Sequence, residues 1–79
     1  MSPTVFRERG YRFFFFSREE ERKHVHIIAS EGEAKYWLEP EIELARYYRF
    51  SRRQLKDIET LIKGHYDELI GAWRQHFES

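Results

Sequence analysis

Two histidines, two residues apart, begin a predicted β-hairpin that spans residues 23–40. Because side chains alternate along a strand, His24 and His26 point to the same face, and this spacing suits a pair of metal ligands. A two-residue turn at Glu31–Gly32 would place Glu39 opposite His24. The sequence therefore offers a candidate metal site made of His24, His26 and Glu39.

Lys35 lies on the same face of the hairpin as the two histidines and indicates a second chemistry. With His24 or His26 as general acid or base, the ammonium of Lys35 would stabilise negative charge at a reacting phosphate. The ordinary interpretation of such a face is a solvated surface whose rings cover the sheet. The sequence leaves the metal, phosphate and surface interpretations open.

The other face of the hairpin is apolar and predicts the core side of a sheet. Residues 24–30 and 33–38 alternate and are rich in β-branched or aromatic types. A two-residue turn would pair His26 with Trp37. The apolar face carries Val25, Ile27, Ala29, Ala34, Tyr36 and Leu38.

A second set of cations follows the hairpin, in a window from Leu44 to Lys56 that contains no acidic residue. Aromatic residues are interleaved with the cations, and such a mixture can hold phosphates or stack on bases. The set consists of Arg46, Arg49, Arg52, Arg53 and Lys56. Acidic and basic residues balance at 14 each, which argues against a globally basic nucleic-acid binder. An ordinary solvated loop and helix start explains the set slightly better.

The length of 79 residues predicts one small domain over residues 1–79, with a core that gains from a partner or a second copy. No cysteine is present, so disulfides and thiolate zinc sites are excluded. The apolar run Phe13–Phe16 is too short for a signal segment or a membrane span. No glycine-rich phosphate loop or HExxH helix motif occurs. We therefore expect a cytoplasmic protein with no cofactor and no membrane partner.

Two hairpins and one helix make up the predicted architecture. Arg9-Gly10 is a turn signal between an extended stretch at Thr4–Arg7 and a strand at Tyr11–Phe16. The two hairpins together span residues 4–39, and residues 41–48 are expected to form a short helical turn or irregular structure. The predicted class is α+β, with a small, mostly antiparallel sheet of about four strands and one long amphipathic C-terminal helix on one face.

The C-terminal helix is predicted over residues 51–77. Ser51 is a good N-cap, and Gln54 completes a capping box. At about 100° per residue, one apolar stripe consists of Leu55, Ile58, Ile62, Tyr66, Leu69, Ile70, Trp73 and Phe77. Gly64 is able to end a first helix, but a single helix, bent there, fits the unbroken stripe better.

A single helix of that length would overhang the sheet. From Arg52 to Phe77 it would run roughly 39 Å, whereas a sheet of four short strands spans about 20 Å. The last turns would then present an apolar patch of the kind that marks an interface. The predicted partner-binding residues are Leu69, Ile70, Trp73 and Phe77. A break near Gly64 would instead fold the last turns back and remove the overhang.

The chain resembles the bacterial domain-of-unknown-function family 4160 along nearly its whole length. The resemblance is carried by PTVFRERGYRFFFFS near the start, HVHI at 24–27, GEAKYWLEP at 32–40, ELAR at 43–46 and FSRRQLKDIE at 50–59. Relatives carry proline before the histidines, roughly EPPHVHV, where this chain has EERKHVHI. The departure argues against a strictly positioned catalytic role for His24.

The resemblance implies no established activity, but it implies a partner. Members of the family commonly lie beside another small family of unknown function, number 2442, in arrangements similar to toxin–antitoxin modules. A tight protein partner encoded nearby is therefore expected, with a nucleic-acid or translation target. RNA or DNA is a candidate target that the balanced net charge does not support.

The residues and the resemblance together predict a small cytosolic interaction protein, one member of a toxin–antitoxin-like pair or a homo-oligomer, that binds through its C-terminal helix. One alternative is a small ribonuclease-type toxin that uses His24, His26 and Lys35, with Arg53 as a further phosphate contact. The other alternative is a metal-binding oligomer.

Overall fold

The computed structural model describes residues 4–16 and 22–77, which contain one five-stranded antiparallel sheet and two helices. The strands are β1 (Thr4–Glu8), β2 (Tyr11–Phe14), β3 (His24–Ile28), β4 (Glu33–Trp37) and β5 (Glu43–Tyr48). The helices are α1 (Arg52–Gly64) and α2 (Tyr66–Phe77). The predicted α+β class and the antiparallel pairing are confirmed. The sheet has one strand more than predicted, and two helices stand in place of the single long one.

The sheet is a meander, in which each strand pairs with its neighbours in sequence. The first turn is formed by Arg9 and Gly10, both with positive φ (55° and 83°), as a tight two-residue hairpin turn demands. This turn was predicted from the dipeptide. It places Glu8 opposite Tyr11, and a register shift near Val5 interrupts the pairing of β1 with β2.

The second hairpin has a loop at residues 29–32 rather than the predicted two-residue turn. His26 is therefore opposite Lys35, not Trp37, and His24 is opposite Trp37. The loop closes with a hydrogen bond of 3.0 Å from the amide of Ala29 to the carbonyl oxygen of Gly32. Because the register differs by two residues, each strand keeps its faces, and the predicted apolar face is buried.

The strand β5 lies at the edge of the sheet, pairs with β4 only, and exposes all six of its residues. A helical turn or irregular structure was expected for this segment, so its assignment was wrong. The reason is a bulge between Leu44 and Arg46, because of which Leu44 and Tyr47, three residues apart, oppose Tyr36 and Ala34 on one face. The bulge removes the strict alternation that identifies a strand in a sequence.

The core lies between one face of the sheet and the two helices. The hydroxyl of Tyr36 on β4 donates a hydrogen bond of 2.9 Å to the carbonyl oxygen of Leu55 on α1. The hydroxyl of Tyr66 on α2 donates a bond of 2.8 Å to the carbonyl oxygen of Leu38. Two tyrosines thus tie the helices to the strand β4 and its end. The largest fully buried side chains include Phe13, Phe15, Ile27, Tyr36, Leu38, Ile58, Ile62 and Leu69.

The helix α1 begins with the predicted capping box. The Ser51 hydroxyl accepts from the Gln54 amide at 3.1 Å, and the Gln54 side chain accepts from the Ser51 amide at 2.8 Å. The helix ends at Gly64, and the amide of His65 donates to the carbonyl oxygens of Leu61 and Ile62. The prediction of one continuous helix was therefore wrong, and the break lies beside Gly64, a residue of low helix propensity.

The predicted overhang of the C-terminal turns does not exist. Leu69 and Trp73 on α2 are 0% and 3% exposed, and Ile70 and Phe77 are half-buried against the core. The ring of Trp73 packs edge-on against Phe15, with centroids 5.3 Å apart. The break after α1 allows α2 to lie on the chain's own sheet. Neither of the two described helices has the length and apolar character needed to cross a membrane.

Candidate functional site

The face of the sheet opposite the helices, here called the second face, carries a row of side chains from four strands. Phe14 is paired with His26, His26 with Lys35, and Lys35 with Arg46. Directly opposed residues have Cβ atoms about 4.5–5.5 Å apart. His26 and Lys35 belong to one predicted set of site residues and Arg46 to another, and the unexpected strand β5 brings Arg46 to the first set.

A cavity of about 140 Å³ lies on the second face. The residues along it are the aromatic residues Phe14, Phe16, Tyr47 and Tyr48, the charged residues Glu33, Lys35 and Arg46, and His26, Ile27, Ile28 and Ala34. Tyr47 is opposite Ala34, on the helix-side face of the sheet, so Tyr48 rather than Tyr47 presents its ring to the second face. Neither described helix contributes a residue to this lining. The cavity is therefore built by the sheet and by Phe16, which follows β2.

Exposed apolar side chains concentrate at this cavity. Among the described residues, the exposed large hydrophobic side chains are Phe16 (45%), Ile28 (39%), Leu44 (36%), Tyr47 (56%) and Tyr48 (60%). All of them except Leu44 line the cavity. Single exposed hydrophobic residues need no explanation, but a contiguous group of them on a monomer marks a surface that binds something.

His24 is enclosed by aromatic rings. Only 2% of its surface is exposed, and its ring packs edge-on against Trp37 and Trp73, with centroids 5.6 and 5.4 Å away. Its Nδ1 lies 2.9 Å from the carbonyl oxygen of Arg22. A carbonyl only accepts, so Nδ1 carries the hydrogen of this bond. His24 is therefore a packed and oriented residue rather than part of a solvated surface.

His26 is 8% exposed and occupies the floor of the cavity. Its ring centroid lies 4.2 Å from that of Phe16 and 5.6 Å from that of Phe14. The two histidine rings are 5.0 Å apart. The two histidine rings thus lie side by side, and aromatic side chains cover both of them.

Lys35 is also largely enclosed, with 7% of its surface exposed. Its ammonium lies 4.4 Å from the ring centroid of Trp37, and the guanidinium of Arg22 lies 4.4 Å from the same ring. Such contacts stabilise a cation by roughly 0.5–1 kcal/mol at exposed sites and by more where water is excluded. Trp37 therefore helps to keep two positive charges beside His24.

The predicted metal site is not assembled. Because of the longer loop, Glu39 is not opposite His24, and its carboxylate forms an ion pair of 3.4 Å with Lys23. Over residues 4–16 and 22–77, no group of three or more histidine, aspartate or glutamate side chains is placed to hold a metal ion. His24, His26 and Glu39 therefore do not form the predicted metal site.

The predicted phosphate-binding cations divide into two places. Arg46 lines the cavity on the second face. Arg49 follows β5 with a positive φ of 65°, and Arg52, Arg53 and Lys56 lie on the exposed first turns of α1. Arg46 alone of this set therefore joins the histidines and Lys35.

The model of the family described as Domain of unknown function (DUF4160) matches residues 10–74 of the 79-residue chain. The chain belongs to the DUF4160 family. No curated protein and no solved structure matches the chain. Because every residue of the cavity lining falls between 14 and 48, the second face lies within the DUF4160 domain.

The predicted partner-binding residues of the DUF4160 chain, Leu69, Ile70, Trp73 and Phe77, pack in or against its own core. Leu69 and Trp73 are buried, so neither has surface to offer to a partner. Ile70 and Phe77 keep partial exposure, and the ring of Phe77 packs on Trp73 with centroids 4.3 Å apart. The amphipathic pattern was correctly identified, but it describes packing on the sheet.

A polar cluster between β1 and the helices of the DUF4160 chain was missed by the sequence analysis. His65 Nε2 lies 2.9 Å from a carboxylate oxygen of Glu8, and Nδ1 lies 2.7 Å from one of Glu68. The bonds to Glu68 and then Glu8 raise the pKa of His65 above its usual value. The spacing of Glu68 from His65 was a local signal, whereas Glu8 lies too far along the chain for any pattern to show.

Proposed function

We propose that this DUF4160 protein is a small interaction protein, one member of a bacterial toxin–antitoxin-like pair, which binds its partner protein at the cavity on the second face. The observation that carries the proposal is the grouping of exposed hydrophobic side chains. Phe16, Ile28 and Tyr48 surround one cavity that neither helix lines. A cytoplasmic location is part of the same proposal.

The residue types at this cavity are those that dominate the energetics of protein interfaces. Tyrosine and arginine are enriched among the side chains whose truncation weakens binding most, and such side chains cluster around desolvated pockets. Tyr48 and Arg46 stand beside a cavity whose lining combines aromatic and charged side chains. The proposal therefore moves the partner surface from the C-terminal stripe to the sheet.

The experiment that tests the proposal is calorimetric titration of the purified chain with the protein encoded beside its gene. The change Tyr48→Ala should weaken binding by about tenfold or more. Leu44→Ala is the matched control, because Leu44 is an exposed hydrophobic residue of the same strand that does not line the cavity. Absence of binding by the unaltered chain, or equal losses in both variants, would overturn the proposal.

A second candidate function is ribonuclease activity. The observation that favours it is the row of His26, Lys35 and Arg46, in which a general acid or base, an ammonium and a guanidinium are neighbours at one cavity. RNA incubated with the purified chain should then be cleaved, and the variant His26→Asn should not cleave it. Intact RNA after incubation with the unaltered, folded chain would remove this candidate.

A further inference from the structure

We propose that the group which enters the cavity is an aromatic side chain of the partner protein, carried next to a carboxylate. This inference rests on the proposed function, because it names the chemistry of the partner at the same site. Three features of the second face carry it: the size of the cavity, the rings that surround it, and the charge at its rim.

The volume of the cavity fits one ring. A cavity of about 150 Å³ lined by apolar side chains binds benzene, and the cavity on the second face measures about 140 Å³. A phenyl or phenol group of a side chain therefore fills it. A methyl or carboxylate group alone would leave most of it empty.

The walls of the cavity suit an aromatic guest. Phe14 and Phe16 stand edge-on to each other, with centroids 5.4 Å apart and planes at 89°. Tyr48 lines the cavity as well and is 60% exposed, so its ring is accessible from solvent. Aromatic pairs prefer such edge-to-face or offset arrangements, and gain about 0.5–1.5 kcal/mol beyond the area they bury.

Arg46 gives the cavity its specificity for a carboxylate. Its side chain is exposed, and within the described parts of the chain no acceptor or carboxylate is bonded to it. The planar guanidinium binds a carboxylate through two parallel hydrogen bonds, which fixes both position and direction. A carboxylate beside the entering ring would meet Arg46 at the rim.

An acidic residue at the cavity favours a protein over a nucleic acid. Glu33 lines the cavity and is opposite Tyr48, whereas Glu43, opposite Trp37, is paired with Arg22 at 3.2 Å. A nucleic acid strand carries a charge at every nucleotide and would bring a phosphate against the carboxylate of Glu33. A protein segment with a single carboxylate can be placed at Arg46 and avoid Glu33.

The experiment is a titration of the isotope-labelled chain, followed by its amide NMR spectrum, with N-acetyl-Asp-Phe-amide. Saturable shifts are expected at the amides of β4 and β5 around Lys35, Arg46 and Tyr48. Two matched probes, N-acetyl-Lys-Phe-amide and N-acetyl-Asp-Ala-amide, test the charge and the ring separately. Each should bind about two- to fivefold more weakly, as expected for the loss of one exposed ion pair or one ring contact.

Two variants assign these preferences to residues. Arg46→Ala should abolish the preference for Asp-Phe over Lys-Phe, and Tyr48→Ala should reduce the preference for Asp-Phe over Asp-Ala. Both residues are exposed, so both variants are expected to fold, and their own spectra report whether they do. A single-stranded RNA hexamer serves as the competing ligand.

The inference is overturned if Asp-Phe produces no saturable shifts, if Lys-Phe binds equally well, or if the RNA saturates the same amides at lower concentration. These outcomes are separate from failure of the proposed function. If the partner protein binds in a Tyr48-dependent manner while the dipeptide does not, only the ligand chemistry is wrong. If neither binds, both proposals fall.

Discussion

The imidazole of His65 stacks on the ring of Phe6, with ring centroids 3.8 Å apart and planes at 15°. Both of its nitrogens face carboxylate oxygens, one of Glu8 on β1 and one of Glu68 on α2. Carboxylates accept hydrogen bonds, so both nitrogens donate only when the ring is protonated. The imidazolium thus joins the first strand to the point where α1 gives way to α2.

This contact predicts a stability that depends on pH. The carboxylates of Glu68 and Glu8 raise the pKa of His65 above about 6.5, its value in an unfolded chain. The stabilisation is therefore complete below about pH 6.5 and is lost as the pH rises through the raised folded value. Urea denaturation at about pH 6 and about pH 9 should show the loss as a lower free energy of unfolding at the higher pH.

The variant His65→Gln is the control for this prediction. It retains a donor but no titrating charge, and it keeps the other three histidines of the chain. The difference in free energy of unfolding between the two proteins should therefore shrink as the pH rises. A difference that stays constant over the same range would show that His65 contributes no proton-linked stability.

We predict that the position of Gly32 tolerates no side chain. A Cβ at Gly32 would overlap the carbonyl oxygen of Tyr48, which is backbone and not free to move aside. Gly32→Ala should destabilise the chain by about 1–3 kcal/mol, as other overpacked substitutions do. Gly71→Ala is the matched control, because nothing lies near its Cβ position on α2, and it should stabilise by about 0.5–1 kcal/mol. Thermal unfolding of the two variants should give shifts of opposite sign.

We predict that the hydrogen bond of Tyr36 contributes to stability by holding α1 on the sheet. The variant Tyr36→Phe removes this bond to the carbonyl oxygen of Leu55 and should cost about 1 kcal/mol in the free energy of unfolding. Burial raises the pKa of Tyr36 to about 12. The contribution of the hydroxyl is thus complete below about pH 10, the unfolded value, and is lost as the pH rises to about 12.

The measurement is ultraviolet titration of the folded protein, with Tyr36→Phe as the comparison. The unaltered chain should show one tyrosine that ionises about two pH units above an ordinary one. That late step should vanish in the variant. If the two titration curves coincide, the hydroxyl of Tyr36 is not buried as described.

We predict that Trp73 contributes to the stability of the isolated chain rather than to the affinity for a partner. Its ring is 3% exposed and packs on Phe15 and Phe77. Trp73→Ala should cost about 3–5 kcal/mol in urea denaturation of the chain alone, as for other buried tryptophans. An interface residue would leave that stability unchanged. Arg74→Ala, at an exposed neighbouring position, should change it by less than about 0.5 kcal/mol.

Alternation and helical periodicity predicted the elements that pack in the core. Val25, Ile27 and Tyr36 were assigned to a buried face from spacing alone, and all three are at most 1% exposed. The capping box at Ser51 was likewise visible, because it depends on residues three apart. These features depend on residues close together in the chain, so they can be predicted from the sequence.

The register, the fifth strand and the helix break depended on contacts between distant segments. The loop at 29–32 is longer than a tight turn, and the backbone of Tyr48 crosses close to Gly32. The bulge in β5 hides its alternation, and His65 at the break is bonded to Glu8, which lies 57 residues away. Contacts between segments so far apart leave no signal in the local sequence pattern.

The second face was only half predicted for the same reason. The sequence placed His24, His26 and Lys35 together, but their burial depends on rings from other segments, such as Phe16 and Trp73. Arg46 reached the face only through a strand that was not expected. The sequence thus indicated the residue types of the site, and the sheet decided which of them meet.

The position of β5 implies that the cavity depends on an edge strand of the sheet. One of its walls belongs to an edge strand whose six residues are all exposed and which pairs with β4 alone. Segments with little buried apolar surface open at a lower free energy than the core. Undocking of β5 would therefore dismantle the cavity while Phe13, Ile58 and Leu69 stay packed. Occupancy of the cavity and attachment of this strand are then one coupled equilibrium, and a partner that fills the space also holds β5 on the sheet.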